Sequence, residues 1–281
     1  MKTTNKYVLI SRIIILSLLA IFTLFPIIYT ITNSFMSVNE INQYYNAEST
    51  SQMKIHLIPN RFSLNSYYQT LFRRPDYLVK FWNSLGLTSA IVFGQVAIST
   101  MAGYAFAKFK FPGRNSIFFI VIILMMMPYQ VTLVSNYIVL KEIGLLNTYA
   151  AIILPSIFSP FGVFLLRQVI VTMPDEIIEA AKIDGANTFQ ILIKMVVPFS
   201  RSGIVALVIL SFIDNWNMVE QPLVFLNNKY KYPLSIFLSQ LNQSNPGIAF
   251  ACGVLAMAPV ALLFIFFEKE LIEGISFSNL K

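Results

Sequence analysis

Long apolar runs without a charged side chain recur along this chain. A helix of about 20 apolar residues is long enough to cross the hydrocarbon core of a bilayer. Of the 281 residues, 56% are hydrophobic and only 12% are charged, whereas soluble chains carry roughly 25% charge. The sequence therefore predicts an all-α polytopic membrane protein with a single transmembrane domain.

Six runs are predicted to be transmembrane helices. The first follows Lys2, Lys6 and Arg12 and is longer than the apolar core of a signal peptide. Because no small-x-small cleavage site ends it, we expect it to be retained as a span. The fifth run is interrupted by Asp214 and Glu220. The predicted spans are 13–33, 84–107, 115–140, 143–166, 202–226 and 246–267.

The distribution of Lys and Arg predicts the orientation, because short cytoplasmic loops are enriched in these residues. The loop 108–114 contains three of them, and four more flank or lie within 172–198. The short loops on the opposite side contain Lys141 alone and then two lysines. Both termini and the loop 172–198 are therefore predicted to be cytoplasmic, and the long polar loop 34–80 to be external. The net charge of +7 belongs to scattered helix ends, which excludes a nucleic-acid-binding patch.

The polar segment 174–198, here called the elbow, separates two apolar runs. Its first residue is a proline, which suits the first turn of a helix. Gly185 can end that helix in the left-handed conformation. Asn187 or Thr188 can then cap a second helix, which Pro198 limits. The elbow is therefore predicted to be two short helices bent at Gly185.

The first elbow helix is acidic, with Asp175, Glu176, Glu179 and Asp184. A helix lying on the membrane surface would need basic residues on its polar face. Glu179 can instead pair with a basic group on a soluble partner. Thr172 and Asp175 have the spacing of a capping pair at the start of this helix. The charge pattern favours an elbow that docks to a protein.

Catalytic and metal-binding patterns are missing from the sequence. Cys252 is the one cysteine and His56 the one histidine, which excludes a disulfide within the chain and metal sites built from paired cysteines or histidines. The sequence contains no glycine-rich phosphate loop and no set of nucleophile, histidine and acid. The chain is therefore predicted not to be an enzyme by itself and to hold no cofactor or metal.

Polar side chains inside apolar runs are the predicted lining of a transport pathway, because a charge there is costly unless it faces a cavity or a partner. Asp214, Trp216 and Asn217 combine an aromatic surface with hydrogen-bonding groups, which suits the faces and hydroxyls of a sugar. Tyr129 and Gln130 are further candidates. The alternative for all of them is hydrogen bonding between helices.

The motif EAAKIDG at 179–185 resembles the EAA loop of ABC-type importer permeases, which has Glu-Ala-Ala, three residues and then Gly. That family continues with Ile-x-Leu-Pro, where this chain has Met195, Val197 and Pro198. Further segments are similar to the second six-helix subunit of the maltose-permease type, in the carbohydrate-uptake class. They are FSLNSYYQTLF at 62–72, GYAFAKFKFPGR at 103–114, GLLNTYAAIILP at 144–155 and IDNWN at 213–217.

The resemblance implies a subunit of a bacterial or archaeal cytoplasmic-membrane importer. It implies a second permease subunit as a heterodimer partner, two ATP-binding-cassette ATPase subunits that bind ATP and Mg²⁺, and an extracellular solute-binding protein. Closure of the ATPases would move the elbow and switch the access of the transport path. The residues implied to couple to the ATPase are Glu179, Ala180, Ala181, Asp184 and Gly185.

The identity of the solute stays open between two classes. The resemblance favours a sugar, with an oligosaccharide as the expected solute, and the rival is another solute such as a glycerol phosphodiester or a sugar phosphate. A phosphorylated solute would favour Arg or Lys within the spans, and none lies deep in any predicted run. An ion-coupled secondary transporter would need carboxylates or histidines at mid-membrane and would leave the elbow unexplained.

Overall fold

The computed structural model of the protein describes residues 6–45, 57–73, 75–241 and 246–276. Within these ranges the regular structure is helical and no strand occurs. The helices are α1 (Lys6–Ser34), α2 (Val38–Tyr45), α3 (Asn65–Tyr68), α4 (Pro75–Lys108), α5 (Arg114–Met126), α6 (Tyr129–Glu142), α7 (Ala150–Ile157), α8 (Pro160–Val171), α9 (Asp175–Ile183), α10 (Thr188–Ile191), α11 (Val197–Phe199), α12 (Arg201–Trp216), α13 (Glu220–Phe225), α14 (Leu234–Leu241) and α15 (Pro246–Ser276). π-Helical turns follow α3 and α10, and a 3₁₀ turn precedes α14.

Four helical segments are long and apolar enough to cross a membrane: Tyr7–Ser34, Pro75–Lys108, Ala150–Val171 and Pro246–Glu270. Two bent pairs of helices also have the length and composition of a span, α5 with α6 and α10–α11 with α12. Among the described residues the count is therefore four spans, or up to six if each bent pair crosses once. The predicted all-α class is confirmed for this part of the chain, and the six-span count and the orientation stay predictions.

The predicted span 115–140 is broken into two helices that meet at an angle of 102°. Met127 is extended, with φ −72° and ψ 129°, and Pro128 precedes the first residue of α6. A residue before proline is driven away from the helical conformation, and proline cannot donate a backbone hydrogen bond. The break is therefore explained by the pair Met127 and Pro128, which a pattern of apolar residues does not reveal.

The predicted span 143–166 starts later than expected. Gly144 and Asn147 have positive φ angles, 70° and 61°, so residues 143–149 form a turn before α7. The Asn147 backbone N–H donates to the Phe225 carbonyl at 2.8 Å. Ser159 caps α8, accepting a hydrogen bond from the Gly162 N–H at 3.1 Å.

The predicted span 202–226 is also divided. Helix α12 ends at Trp216, and the short helix α13 begins only at Glu220. Helix α12 in turn makes an angle of 78° with the segment Thr188–Phe199 before it. The polar residues of IDNWN thus lie at the end of a helix and in the loop after it.

The chain divides into two compact units. The first comprises 1–78 and 237–258, and the second comprises 79–236 and 259–281. In the first unit, part of the predicted external loop is helical, and its buried Glu40 accepts hydrogen bonds from the backbone of Ser37 at 3.0 Å and of Asn60 at 2.6 Å. His56 lies outside the described residues.

The second unit contains the elbow and the residues predicted to line a pathway. One of its clusters of buried apolar side chains includes Leu87, Ile91, Leu140, Ile152 and Phe225. Another joins the elbow to the long helices and is described below. Arg167 of α8, in the same unit, lies over the ring of Phe118 at 4.0 Å from its centre.

Candidate functional site

The elbow has the two-part form that the sequence predicts. Helix α9 runs from Asp175 to Ile183, and Gly185 has a φ of +82°. The Ala186 N–H donates to the Ala181 carbonyl at 2.9 Å, which closes the end of the helix. An added Cβ at Gly185 would meet no atom within 4 Å, so the need for glycine comes from the backbone conformation alone.

Asn187, and not Thr188, caps the second part of the elbow. Its side chain accepts from the Gln190 N–H at 2.9 Å, and the Gln190 side chain accepts from the Asn187 N–H at 2.9 Å. This reciprocal pair is a capping box. Pro198 does not stop the helix directly, because it lies in the short helix α11 that ends before Ser200.

The predicted Thr172–Asp175 capping pair is wrong. The Thr172 hydroxyl donates to the Val169 carbonyl at 2.7 Å, within the last turn of α8. The residue that caps α9 is Pro174, which offers no side-chain acceptor. Asp175 is instead bound by Lys108, the last residue of α4, at 2.6 Å.

Lys108 makes two contacts at the start of the elbow. Its Nζ donates to the Met173 carbonyl at 2.5 Å and to Asp175 Oδ1 at 2.6 Å. The hydrogen bond from Lys108 and the charge of its ammonium group hold the pKa of Asp175 below its ordinary value. The carboxylate is therefore ionised at neutral pH.

The elbow lies on a cluster of buried apolar side chains. Ile178 and Ala181 of α9 pack there, at 6% and 4% exposure. The other members come from α4, α8, the turn between α8 and α9, the second part of the elbow and α12: Tyr104, Leu166, Ile170, Met173, Ile191, Leu192, Val196 and Leu207. Movement of α9 is therefore resisted by packing against three of the long helices.

Four of the five predicted coupling residues are exposed: Glu179, Ala180, Asp184 and Gly185. The fifth, Ala181, faces the apolar cluster. The two alanines of the motif thus have different surroundings, one on the free surface of α9 and one beneath it. Ile183, at 86% exposure, adds a large apolar side chain to the free surface.

A cavity of about 530 Å³ lies in the second unit where α12 ends. Its polar lining comes from the start of α6, the end of α12 and the start of α13. These residues are Tyr129, Asp214, Asn215, Asn217, Glu220 and Gln221. Among the described residues that line it, two are carboxylates and none is a cation. The cavity presents hydrogen-bond acceptors and negative charge.

Two predicted pathway residues are placed differently. Trp216 is 5% exposed and packs against Phe81 and Phe212, with ring centres 5.7 and 5.5 Å away, so its indole does not line the cavity. Gln130 lies beside the cavity, where its Nε2 donates to the Glu220 carboxylate at 3.1 and 3.3 Å.

Two functional candidates, Gln221 and Lys108, were missed by sequence reasoning. Gln221 lines the cavity beside Glu220, which the sequence marks as an interruption of the fifth apolar run, but the position of Gln221 after the end of α12 gave no periodic signal. Lys108 reaches the elbow from 65 residues away. Because Lys108 ends an apolar run, its charge was interpreted as that of a cytoplasmic loop. No local sequence pattern connects Lys108 with Asp175.

Within the second unit, Glu270 of α15 contacts the start of α12. Arg201 and Glu270 form an ion pair at 3.0 Å.

Among the residues that the structure describes, no group of three or more histidine, cysteine, aspartate or glutamate side chains has the arrangement of a metal site.

Comparison with known proteins places the chain among transport permeases. The model of the family described as binding-protein-dependent transport system inner membrane component matches residues 95–272. The arabinooligosaccharides transport system permease protein AraQ of Halalkalibacterium halodurans is 30% identical over 266 residues, covering 94% of this chain and 93% of that protein. The sn-glycerol-3-phosphate transport system permease protein UgpE of Brucella abortus is 29% identical over 273 residues, covering 93% and 94%.

The fold is similar to that of a solved structure. A chain in the crystal structure of a bacterial ABC transporter involved in the import of the acidic polysaccharide alginate superposes with a TM-score of 0.83. It is 21% identical, and the match covers 96% of this chain and 99% of that one. At this identity the likeness concerns the fold alone.

Proposed function

This chain belongs to the family of binding-protein-dependent transport system inner membrane components, and we propose that it is the membrane subunit of an ATP-driven importer of a neutral oligosaccharide. The observation that carries the proposal is the elbow. It joins a defined helix with an acidic free surface to a buried cluster shared by α4, α8 and α12. Such an element can transmit a displacement from a soluble subunit to the spans.

The proposed coupling surface consists of the four exposed residues of α9 and its end: Glu179, Ala180, Asp184 and Gly185. Ala181 acts from beneath, by keeping α9 close to the apolar cluster. ATP and Mg²⁺ bind to a separate ATPase subunit, whose closure displaces the elbow. The spans respond by exchanging inward and outward access.

The proposed topology has six spans, with both termini and the elbow in the cytoplasm and the loop 34–80 outside. The pair α5 and α6 then crosses the membrane once, and the fifth span begins with α12, after α10 and α11 of the elbow. The partners are a second permease subunit, two ATPase subunits and an extracellular solute-binding protein, in the cytoplasmic membrane of a bacterium or archaeon. The name of the family supports dependence on a binding protein.

The cavity at the end of α12 is the proposed contribution of this chain to the solute pathway. Asp214, Asn217, Tyr129 and Glu220 can accept or donate hydrogen bonds to sugar hydroxyls. Two carboxylates without a lining cation disfavour phosphate or uronate groups. The cavity therefore supports a neutral oligosaccharide, as the name of the AraQ relative describes for that protein, over the phosphorylated solute named for UgpE.

Uptake by purified complexes in liposomes tests the function. The chain, its second permease and its ATPase are reconstituted, and uptake of a labelled arabinooligosaccharide is measured with and without ATP and the binding protein. We expect uptake only when both are present, and weak uptake of sn-glycerol-3-phosphate. Gradient-driven uptake by this chain alone would refute an ATP-driven importer, and preferred uptake of the phosphate would favour the rival solute.

The cavity is tested separately by charge reversal. Asp214→Lys should reduce uptake of the neutral oligosaccharide roughly 5-fold or more, while ATP hydrolysis stimulated by the binding protein persists. Lys141→Gln, an exposed charge change outside the cavity, is the control. Normal uptake by Asp214→Lys would exclude this cavity from the pathway.

A further inference from the structure

The end of α4 is joined to the start of the elbow by one side chain. We propose that Lys108 is a positioning residue that couples displacement of α9 to α4, through its hydrogen bonds to the Met173 carbonyl and the Asp175 carboxylate. This inference rests on the proposed coupling role of the elbow. It adds a defined path by which that movement reaches one span.

The contact is built for a charged group. The Lys108 side chain is only 10% exposed, and a poorly hydrated ammonium group is costly unless it has acceptors. Met173 O and Asp175 Oδ1 supply two. Hydrogen bonds with an ionised donor are stronger than those between neutral groups.

The elbow needs an outside group at this point. Pro174, at the N-cap of α9, makes no side-chain hydrogen bond to the first turn of the helix. The Met173 carbonyl stands between α8 and α9, outside the hydrogen-bond series of either helix. Lys108 therefore holds the junction at the place where α8 turns into α9.

A second close contact lies one turn and a half earlier on α4. An added Cβ at Gly103 would be 3.0 Å from the Arg167 backbone nitrogen and 3.1 Å from Leu166 Cβ. Tyr104 is buried in the cluster beneath the elbow, at 4% exposure. Gly103 and Lys108 are five residues apart, which is about 7.5 Å along the helix. Over this length α4 is held to α8 by backbone approach and to the elbow by the Lys108 contact.

The rigid connection has a functional consequence. If α9 is displaced and only apolar packing connects it to α4, α4 can stay behind. The Lys108 hydrogen bonds instead make the end of α4 move together with the junction between α8 and α9. Without the contact, ATP should still be hydrolysed, but less solute should be transported for each ATP. The ratio of solute transported to ATP hydrolysed reports this loss.

The test uses the full complex in liposomes, with transport by the wild-type complex established first. A wild-type complex that does not transport would overturn the proposed function itself, separately from Lys108. Given transport, Lys108→Met keeps the apolar stem and removes both hydrogen bonds. We expect transport per ATP to fall roughly 5- to 10-fold, with ATP hydrolysis within about twofold of wild type, since a coupling contact changes transport more than hydrolysis.

Three matched variants sharpen the result. Lys108→Arg retains a charged donor and should recover most of the lost ratio. Asp175→Asn keeps an acceptor without the charge and should give a smaller loss, and it tests the proposal even if Lys108→Met does not assemble. Lys110→Met removes an exposed charge from the same loop and should leave the ratio unchanged.

Two outcomes would overturn the proposal. An unchanged ratio in Lys108→Met or, where that variant does not assemble, in Asp175→Asn shows that the contact does not couple. A parallel fall in transport, ATP hydrolysis and melting temperature, without recovery in Lys108→Arg, shows a structural role only.

Discussion

At the scale of single residues, charge at the start of the elbow is set by a partner distant in the chain. Asp175 is 74% exposed, yet its pKa lies below the ordinary value because Lys108 donates a hydrogen bond to it and carries the opposite charge. Glu40, in the first unit, is another carboxylate with a lowered pKa. Burial raises the pKa of Glu40, but hydrogen bonds from Ser37 and from the Asn60 and Arg61 backbone outweigh it, and the net pKa is lowered.

The lowered pKa of Asp175 predicts how the stability of the complex depends on pH. A carboxylate with a lowered folded pKa contributes stability above its unfolded pKa, here 3.8, and loses it only as pH falls through the folded value. We therefore expect Asp175→Asn to lower the melting temperature of the purified complex slightly and by the same amount at pH 7 and pH 5. A difference that disappears at pH 5 would contradict an ionised Asp175 over this range.

At the scale of helices, Gly103 permits α4 to approach the backbone of α8. At Gly103 a methyl group would meet the backbone of Arg167, which cannot move away as a flexible side chain can. Gly86, in the same helix, would meet nothing within 4 Å. The two positions separate the effect of close packing from the general effect of replacing glycine in a helix.

Gly103→Ala should destabilise the protein by about 1–3 kcal/mol, because the added methyl forces the helices apart. Gly86→Ala should be neutral or stabilising by up to about 1 kcal/mol, because alanine is the better helix former. Thermal unfolding of the two purified variants measures both. Equal melting temperatures would show that the Gly103 approach contributes little.

Helix α9 and the glycine that ends it form the proposed coupling surface. Glu179→Lys reverses an exposed charge and Gly185→Asp puts a side chain at a φ of +82°. Each should reduce transport roughly 10-fold or more and uncouple ATP hydrolysis from the binding protein, while the chain still inserts. Lys194→Gln, another exposed change in the elbow, should transport normally. Full transport by both coupling variants would refute the proposed role of α9.

At the scale of the whole molecule, the route of the chain across the membrane depends on the pair α5 and α6. A bend of 102° suits either one broken span or a re-entrant loop. If the pair is one span, its two ends face opposite sides, as the proposed count of six spans requires. If it is re-entrant, both ends face the same side.

Cysteine labelling in whole cells distinguishes these arrangements. In a chain whose buried Cys252 is replaced by alanine, Glu142→Cys should react with an impermeant maleimide in intact cells. Ser116→Cys should react only after lysis, because it lies at the start of α5, on the predicted cytoplasmic side. Labelling of both cysteines in intact cells, or of neither, would exclude a single crossing between them.

Local sequence was enough to predict the all-α class, the left-handed Gly185 and a cap at Asn187 or Thr188, because spacing, backbone conformation and capping act within a few residues. The break at Pro128 was also local, although the apolar pattern concealed it. Only the tertiary structure decided that Ala181 faces a buried apolar cluster, that Trp216 is buried against aromatic rings and that Lys108 binds Asp175. Those outcomes depend on which helices pack together, and no rule that acts over neighbouring residues contains that information.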